Sequence, residues 1–202
     1  MTEEVIKKAE AVLIKQDPIL GKLIKRQKLQ PLKPRTDYFH SLCRSIIGQQ
    51  VSVASANAIF SRFEAATKLK PANYVKLSPA QIKAIGLSQQ KANYIADLAQ
   101  HFIRDPNVYN HLERQTDEQV IAELTEIKGI GTWTAQMFLI FTLVRPDVFA
   151  PGDRGLQLGL MKMYGLDTLP PRQDLAAAAE KWTPYRSVAS LHLWRSLANK
   201  PL

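Results

Sequence analysis

Apolar residues recur at a spacing of about three to four positions through most of the chain, and alternating Val, Ile, Thr and Tyr runs of strand type are missing. That spacing predicts a fold built almost wholly of helices. Residues 5–15 read as a first amphipathic helix, and residues 30–35, with Pro31 and Pro34, as an extended connector. Asp37 opens a helical stretch over residues 38–47, and the periodicity resumes over 52–66 through Val53, Ala58, Ile59 and Phe63. Ser78, Pro79, Ala80 and Gln81 spell a helix start, with Ser as N-cap, Pro in the first turn and Gln closing a capping box; this short helix stops at Gly86. Another follows over residues 88–103. Thr116 and Gln119 form a second capping box for a helix ending near Ile127. Residues 132–144 form a helix that ends before Pro146, and residues 155–164 a short one stopped by Gly165. Residues 174–182 and 185–197 complete the series.

The 202 residues, 46% of them hydrophobic, suffice for one domain or two small lobes with a buried core. No apolar window reaches roughly 18 residues, and the chain begins Met1, Thr2, Glu3, Glu4, which argues against a membrane span and a signal peptide. Twenty-seven Lys and Arg against 18 Asp and Glu give a net charge of +9, which favours a polyanionic partner such as nucleic acid or an acidic membrane. The single cysteine, Cys43, sits among Leu42, Ile46 and Ile47 and reads as a buried thiol. It excludes an internal disulfide and a four-cysteine iron–sulfur cluster. The four histidines, His40, His101, His111 and His192, are scattered and suggest no zinc site. No Walker loop, nucleophile elbow or dinucleotide fingerprint is present; Gly129 to Gly131 lacks a third glycine and a preceding strand.

Two stretches carry candidate chemistry. In the first, Ile127, Lys128, Gly129, Ile130, Gly131, Thr132, Trp133, Thr134 and Ala135 place a glycine turn before an apolar helix. The two glycines permit positive φ and a close backbone approach, and Thr132 can cap the helix. The N–H groups at such a helix start face outward and suit a phosphate. The plainer reading is an ordinary helix–turn–helix corner. In the second, Val148, Phe149, Ala150, Pro151 and Gly152 lead to Asp153, whose plainer role is N-cap of the helix beginning at Arg154. Capping and chemistry are compatible, because the donors and dipole of a helix start favour the anionic form of a carboxylate.

Residues 124–135 resemble the hairpin of the helix-hairpin-helix DNA glycosylases, and residues 148–153 resemble their catalytic loop. Ile47, Gly48, Gln49, Gln50, Val51 and Ser52 resemble the family segment that lies against the minor groove, and Leu191, His192, Leu193 and Trp194 resemble the C-terminal segment of the bacterial 3-methyladenine enzymes. The resemblance spans residues 38–194. It implies an all-α, two-lobe HhH-GPD fold, one lobe formed by residues 1–51 with 145–202 and the other by 52–144, and a monomeric intracellular enzyme that binds damaged duplex DNA between them. The β-rich N-terminal domain of some relatives has no room in the roughly 37 residues before the match.

The resemblance also implies roles. Asp153 would be catalytic, stabilising an oxocarbenium-like sugar and activating water; Gly152 stands where many relatives have a further Asp. Trp133 occupies the hairpin-helix position where bifunctional relatives have a Schiff-base lysine, and Lys128 lies on the wrong side of the turn, so no strand-cutting lyase activity is expected. No general acid is evident, which suits an alkylated purine that is already cationic and that stacks on electron-rich rings. Trp133 and Trp194 are the candidate rings, although large aromatics are more often core, and Met137 stands where some relatives have tyrosine. Gln50 stands where some relatives have a leucine wedge that fills the gap behind a flipped base, with Gln49 and Ser52 beside it at the DNA. The N–H groups of Gly129, Gly131 and Thr134 would meet a phosphate, and the main-chain carbonyls of Thr125, Ile127 and Ile130 would hold a monovalent cation, Na⁺ or K⁺. Two alternatives stay open: a glycosylase for a neutral lesion such as uracil, hypoxanthine or oxidised guanine, and a hairpin module that binds DNA without chemistry.

Overall fold

The computed structural model describes residues 1–197, which form helices and turns with no strand among them. In chain order the helices are α1 (Glu3–Gln16), α2 (Pro18–Ile24), α3 (Tyr38–Gly48), α4 (Val53–Thr67), α5 (Pro71–Tyr74), α6 (Pro79–Ile85), α7 (Gln89–Arg104), α8 (Asp117–Thr125), α9 (Thr132–Phe141), α10 (Arg154–Tyr164), α11 (Arg172–Glu180) and α12 (Arg186–Leu197), with a 3₁₀ turn at Asn110–Arg114. Both expected capping boxes form, Ser78 with Gln81 and Thr116 with Gln119. Among the described residues no helix is long and apolar enough to cross a membrane. The chain divides into two units, residues 1–34 with 139 onward, and residues 35–138. The expected boundaries near 51/52 and 144/145 are thus displaced. The first moves because α3 buries Phe39, Leu42, Cys43, Ile46 and Ile47 and packs on α4 and α7, and the second falls inside α9.

In the terminal unit, α10 and α12 pack closely because Gly159 has no side chain; a Cβ there would stand 3.1 Å from Cβ of Leu193. The short α2, too brief for its periodicity to stand out, is announced only by Asp17 followed by Pro18. The Asp17 carboxylate accepts from the N–H groups of Ile19 and Leu20 (both 3.1 Å), from Trp182 Nε1 (2.9 Å) and from the Tyr164 hydroxyl, and it pairs with Lys181 at 3.2 Å. Burial raises its pKa, and the bonds from Tyr164, Trp182, Leu20 and Lys181 outweigh that and lower it. One carboxylate therefore ties α2 to α10 and to the turn after α11.

A second buried polar group joins α12 to α1. Nε2 of His192 lies 3.1 Å from Oε1 of Glu10. The Gln27 amide, oriented by its neighbours, donates to His192 Nδ1 (2.9 Å) and accepts from Ser196 N (3.3 Å). Burial, with Arg195 adding to it, brings the pKa of His192 down to about 4, and burial raises that of Glu10 against the pull of Lys7.

The unit of residues 35–138 is built on α3, α4, α5 and α7 around Phe60, Phe63 and Tyr74, whose rings succeed one another at centroid distances of 5.9 and 5.8 Å. The Tyr74 hydroxyl donates to Ala92 O at 2.8 Å. Cys43 is fully buried here, and burial pushes its thiol pKa well above the ordinary value. The one-turn α5 and the 3₁₀ turn are too short to leave a periodic signal in the sequence. α9 ends at Phe141 and not near residue 144, because Val144 adopts φ 59° and Arg145 N turns back to Leu139 O at 3.0 Å.

Candidate functional site

Asp153 is the N-cap of α10, and its burial leaves 9% of it exposed. Its Oδ1 accepts from Leu156 N at 2.8 Å and from the indole Nε1 of Trp194, also at 2.8 Å. Two donors on one oxygen fix the plane of the carboxylate. The Trp194 ring is itself held against Phe141, with centroids 5.6 Å apart and planes 31° apart. The loop leading to Asp153 is pinned to the start of α12. Arg186 donates Nε to Oδ1 (2.9 Å) and Nη2 to Oδ2 (3.0 Å) of Asp147, a planar two-point pair that a lysine could not make. Ser187 Oγ accepts from Val148 N at 2.9 Å and donates to Val148 O at 3.2 Å. Asp153 N closes the turn on Ala150 O at 2.9 Å.

Gly155 also belongs to this arrangement, although no motif marks it. A Cβ there would stand 2.9 Å from Cδ1 of Trp194 and 3.0 Å from Oδ1 of Asp153. The glycine is the space into which the indole fits. A glycine in the first turn of a helix, where intrinsic propensity disfavours it, was the available signal.

The glycine hairpin lies in the other unit. Gly129 has φ 84°, and a Cβ there would fall 2.1 Å from Cδ2 of Tyr94, so both backbone and space demand glycine. Gly131 differs from expectation: its φ is not positive, and nothing lies within 4 Å of where its Cβ would be. Its carbonyl accepts from Ala135 N at 3.0 Å, which makes Gly131, and not Thr132, the N-cap of α9. Thr134, with its side chain buried, is the third residue of α9, and its N–H belongs to the first turn that a helix leaves without internal acceptors. The backbone at Gly131 is open, and the N–H groups of the first turn of α9 begin beside it.

Gln49 and the hairpin are joined, since Gln49 Nε2 donates to Gly129 O at 2.8 Å. Gln50 follows with φ 55°, a left-handed conformation rare for a residue of its kind, and its side chain is exposed. Ser52 caps α4, its Oγ accepting from Ser55 N at 3.2 Å. Val51 and Val53 are both exposed, Val53 by 78%, so apolar surface flanks Gln50. Trp133 is 44% exposed, and Met137, half-buried, lies one turn farther along α9. The structure thus groups Asp153 with Trp194, and Gln49 with the hairpin glycine.

The three carbonyls that the resemblance links to a cation, those of Thr125, Ile127 and Ile130, come from the end of α8, the turn and the residue before Gly131. Ile127 O accepts from Ile130 N at 3.0 Å and keeps a second lone pair. Three neutral main-chain oxygens suit a monovalent ion better than a transition metal. Among the described residues, no three His, Cys, Asp or Glu side chains are placed to hold a metal.

Comparison with known proteins shows the family. Residues 43–185 match the family model "HhH-GPD superfamily base excision DNA repair protein". The chain is 31% identical, over 83% of its length, to a Bacillus subtilis protein of which it spans 61%. Its fold is similar to the 3-methyladenine DNA glycosylase Mag1 of Schizosaccharomyces pombe, solved in complex with abasic DNA, with a TM-score of 0.85, 29% identity, and 96% of this chain and 98% of that one covered. It is also similar to a DNA-3-methyladenine glycosidase from Bacillus halodurans, with a TM-score of 0.79, 34% identity, and 94% and 89% covered. This chain belongs to the HhH-GPD superfamily of base excision DNA repair proteins.

Proposed function

We propose that this protein is a monofunctional DNA glycosylase that hydrolyses the N-glycosidic bond of alkylated purines of the 3-methyladenine type in duplex DNA. The observation that carries the reading is the Asp153 carboxylate, capped by Leu156 N–H and oriented by the Trp194 indole at the end of a pinned loop. The activities named for the similar proteins from fission yeast and Bacillus halodurans point the same way.

In this reading the damaged base is swung out of the stack, because its glycosidic bond is inaccessible within it. The C1′–N bond breaks, and its electron pair goes to the purine and neutralises the positive charge of the alkylated ring. The sugar is left with oxocarbenium character. Asp153 stabilises that cation and accepts a proton from the water whose oxygen bonds to C1′, leaving an abasic sugar. Trp194 orients the carboxylate, and the roles of Trp194, Trp133 and Met137 towards the base rest on their motif positions. Gln50, with Gln49 and Ser52 near it, fills the gap in the duplex. The N–H groups of Gly129, Gly131 and Thr134 meet a phosphate. The carbonyls of Thr125, Ile127 and Ile130 would hold Na⁺ or K⁺, which supplies positive charge beside that phosphate when bound.

A lesion panel tests the proposal. Duplexes carrying 3-methyladenine, 7-methylguanine, uracil, hypoxanthine or 8-oxoguanine are treated under single-turnover conditions, and base release and strand cutting are read separately. Release of methylated purines without cutting is expected. Release of neutral bases alone would give the neutral-lesion reading, and tight binding with no release would leave a hairpin module without chemistry.

A further inference from the structure

The α7 helix turns one face toward both segments assigned to DNA. Lys91 Nζ donates to Ile47 O at 2.8 Å and to Gln49 O at 2.7 Å, so one ammonium group holds the carbonyls at the end of α3, immediately before Gln50. Tyr94, one turn on, is the ring that Gly129 accommodates. Asp97, the next turn again, pairs with Lys128 at 3.1 Å. Residues spaced by three on a helix share a face. The Lys91–Tyr94–Asp97 stripe therefore grips the Gln50 segment at one end and the hairpin at the other, and the Gln49 side chain closes the link through Gly129 O. A cleft of about 410 Å³ lies beside it, lined by Gln50, Val51, Ser88, Gln90, Lys91 and Tyr94 among others.

Gln50 sits in a left-handed conformation that costs free energy for a side chain with a Cβ, and such a conformation persists only where its surroundings impose it. The immediate surroundings are the two carbonyls held by Lys91. We infer that Lys91 is a positioning residue for the wedge: its ammonium group, clamped on Ile47 O and Gln49 O, fixes the backbone that presents Gln50 to the DNA and couples that presentation to the hairpin. This rests on the wedge role proposed above for Gln50. Two of the three ammonium donors of Lys91 are spent on these main-chain carbonyls.

The test needs no catalysis. A duplex holding a stable abasic analogue opposite 2-aminopurine is bound by the full chain, and filling of the gap is read as the change in 2-aminopurine fluorescence. Gln50→Ala serves as the reference that lacks the wedge, and base release from a 7-methylguanine duplex is measured alongside. Lys91→Met is expected to lose the fluorescence change as Gln50→Ala does. Its base release should fall roughly ten- to hundredfold from loss of two charge-assisted bonds, and much less when the lesion stands opposite an abasic site and is already unpaired. Its log–log salt dependence of binding should match wild type, and Lys91→Arg should restore the signal. If Lys91→Met keeps the wild-type fluorescence change, or loses about one unit of salt slope as a phosphate contact would, the inference fails. A wild-type protein that changes the fluorescence but releases no base leaves the positioning role intact and overturns the catalytic reading instead. If neither wild type nor Gln50→Ala changes the signal, the wedge role and this inference fall together, while base release still judges the catalytic reading.

Discussion

The indole N–H of Trp194 meets Oδ1 of Asp153 at 2.8 Å across a gap that exists only because residue 155 is glycine. Gly155→Ala should break that relationship. In an ordinary helix position the change would add up to about 1 kcal/mol of stability. Here the methyl group meets a ring edge and a carboxylate, and a net loss of roughly 1–2 kcal/mol is expected, with base release down at least about tenfold. Urea denaturation and single-turnover base release measure the two effects. A stabilised, fully active Gly155→Ala protein would show that the indole does not need that place.

The two hairpin glycines should behave differently. Gly129→Ala forces a Cβ 2.1 Å from the Tyr94 ring at φ 84° and is expected to destabilise the protein by roughly 2–4 kcal/mol. Gly131→Ala enters open space without positive φ, so only the poorer N-cap counts and a loss of no more than about 1 kcal/mol is expected. It should also weaken binding of undamaged duplex, because in the proposed reading the methyl group would stand where a phosphate approaches the α9 amides. Equal binding by Gly131→Ala and wild type would remove the hairpin from the DNA interface.

Asp17 and Asp153 are both buried N-caps, yet only one is assigned to chemistry. Asp17, 2% exposed, is enclosed by donors from Tyr164, Trp182, Lys181 and two main-chain N–H groups. Asp17→Ala leaves those donors without their acceptor and should cost about 3–5 kcal/mol, while the folded fraction keeps its rate of base release. Activity normalised to folded protein by circular dichroism makes the comparison, and a specific activity loss would contradict the structural assignment.

The buried His192–Glu10 pair gives a pH signature. With a pKa near 4 against an ordinary 6.5, His192 stays neutral in the native chain while the unfolded chain binds a proton. Its contribution is complete above pH 6.5 and is lost as pH falls toward 4, at up to about 1.4 kcal/mol per pH unit. Glu10 acts with the opposite sign: its pKa, raised from 4.5, lets the native chain keep a proton that the unfolded chain releases, so stability falls as pH rises from 4.5. Between pH 4.5 and 6.5 the urea midpoint of Glu10→Gln should rise more steeply with pH than that of the wild type, and that of His192→Asn should show no rise from this source. A steep slope that survives in His192→Asn would assign it elsewhere.

Much of the fold could be read in the chain because its signals are local. Ser78 with Gln81, Thr116 with Gln119, and Gly86 and Gly165 as left-handed stops each act within one turn, and each forms as written. The elements that were missed, α2, α5 and the 3₁₀ turn, last too few residues for a period to register. The candidate site was legible as motifs and not as contacts. Asp153 and Trp194 could be named singly, but the bond between them spans 41 residues and depends on Gly155, whose role is spatial. Lys91 carries no motif at all, since its partners, Ile47 and Gln49, lie more than 40 residues earlier.

The most direct measurement is single-turnover release of 3-methyladenine from methylated duplex DNA by wild type and Asp153→Asn. Asparagine can still cap α10 and accept from the Trp194 indole, so the urea midpoint and the affinity for duplex should change little. Loss of the carboxylate charge should slow base release by roughly 10²–10⁴-fold. Release at the wild-type rate from the Asp153→Asn protein would contradict the account.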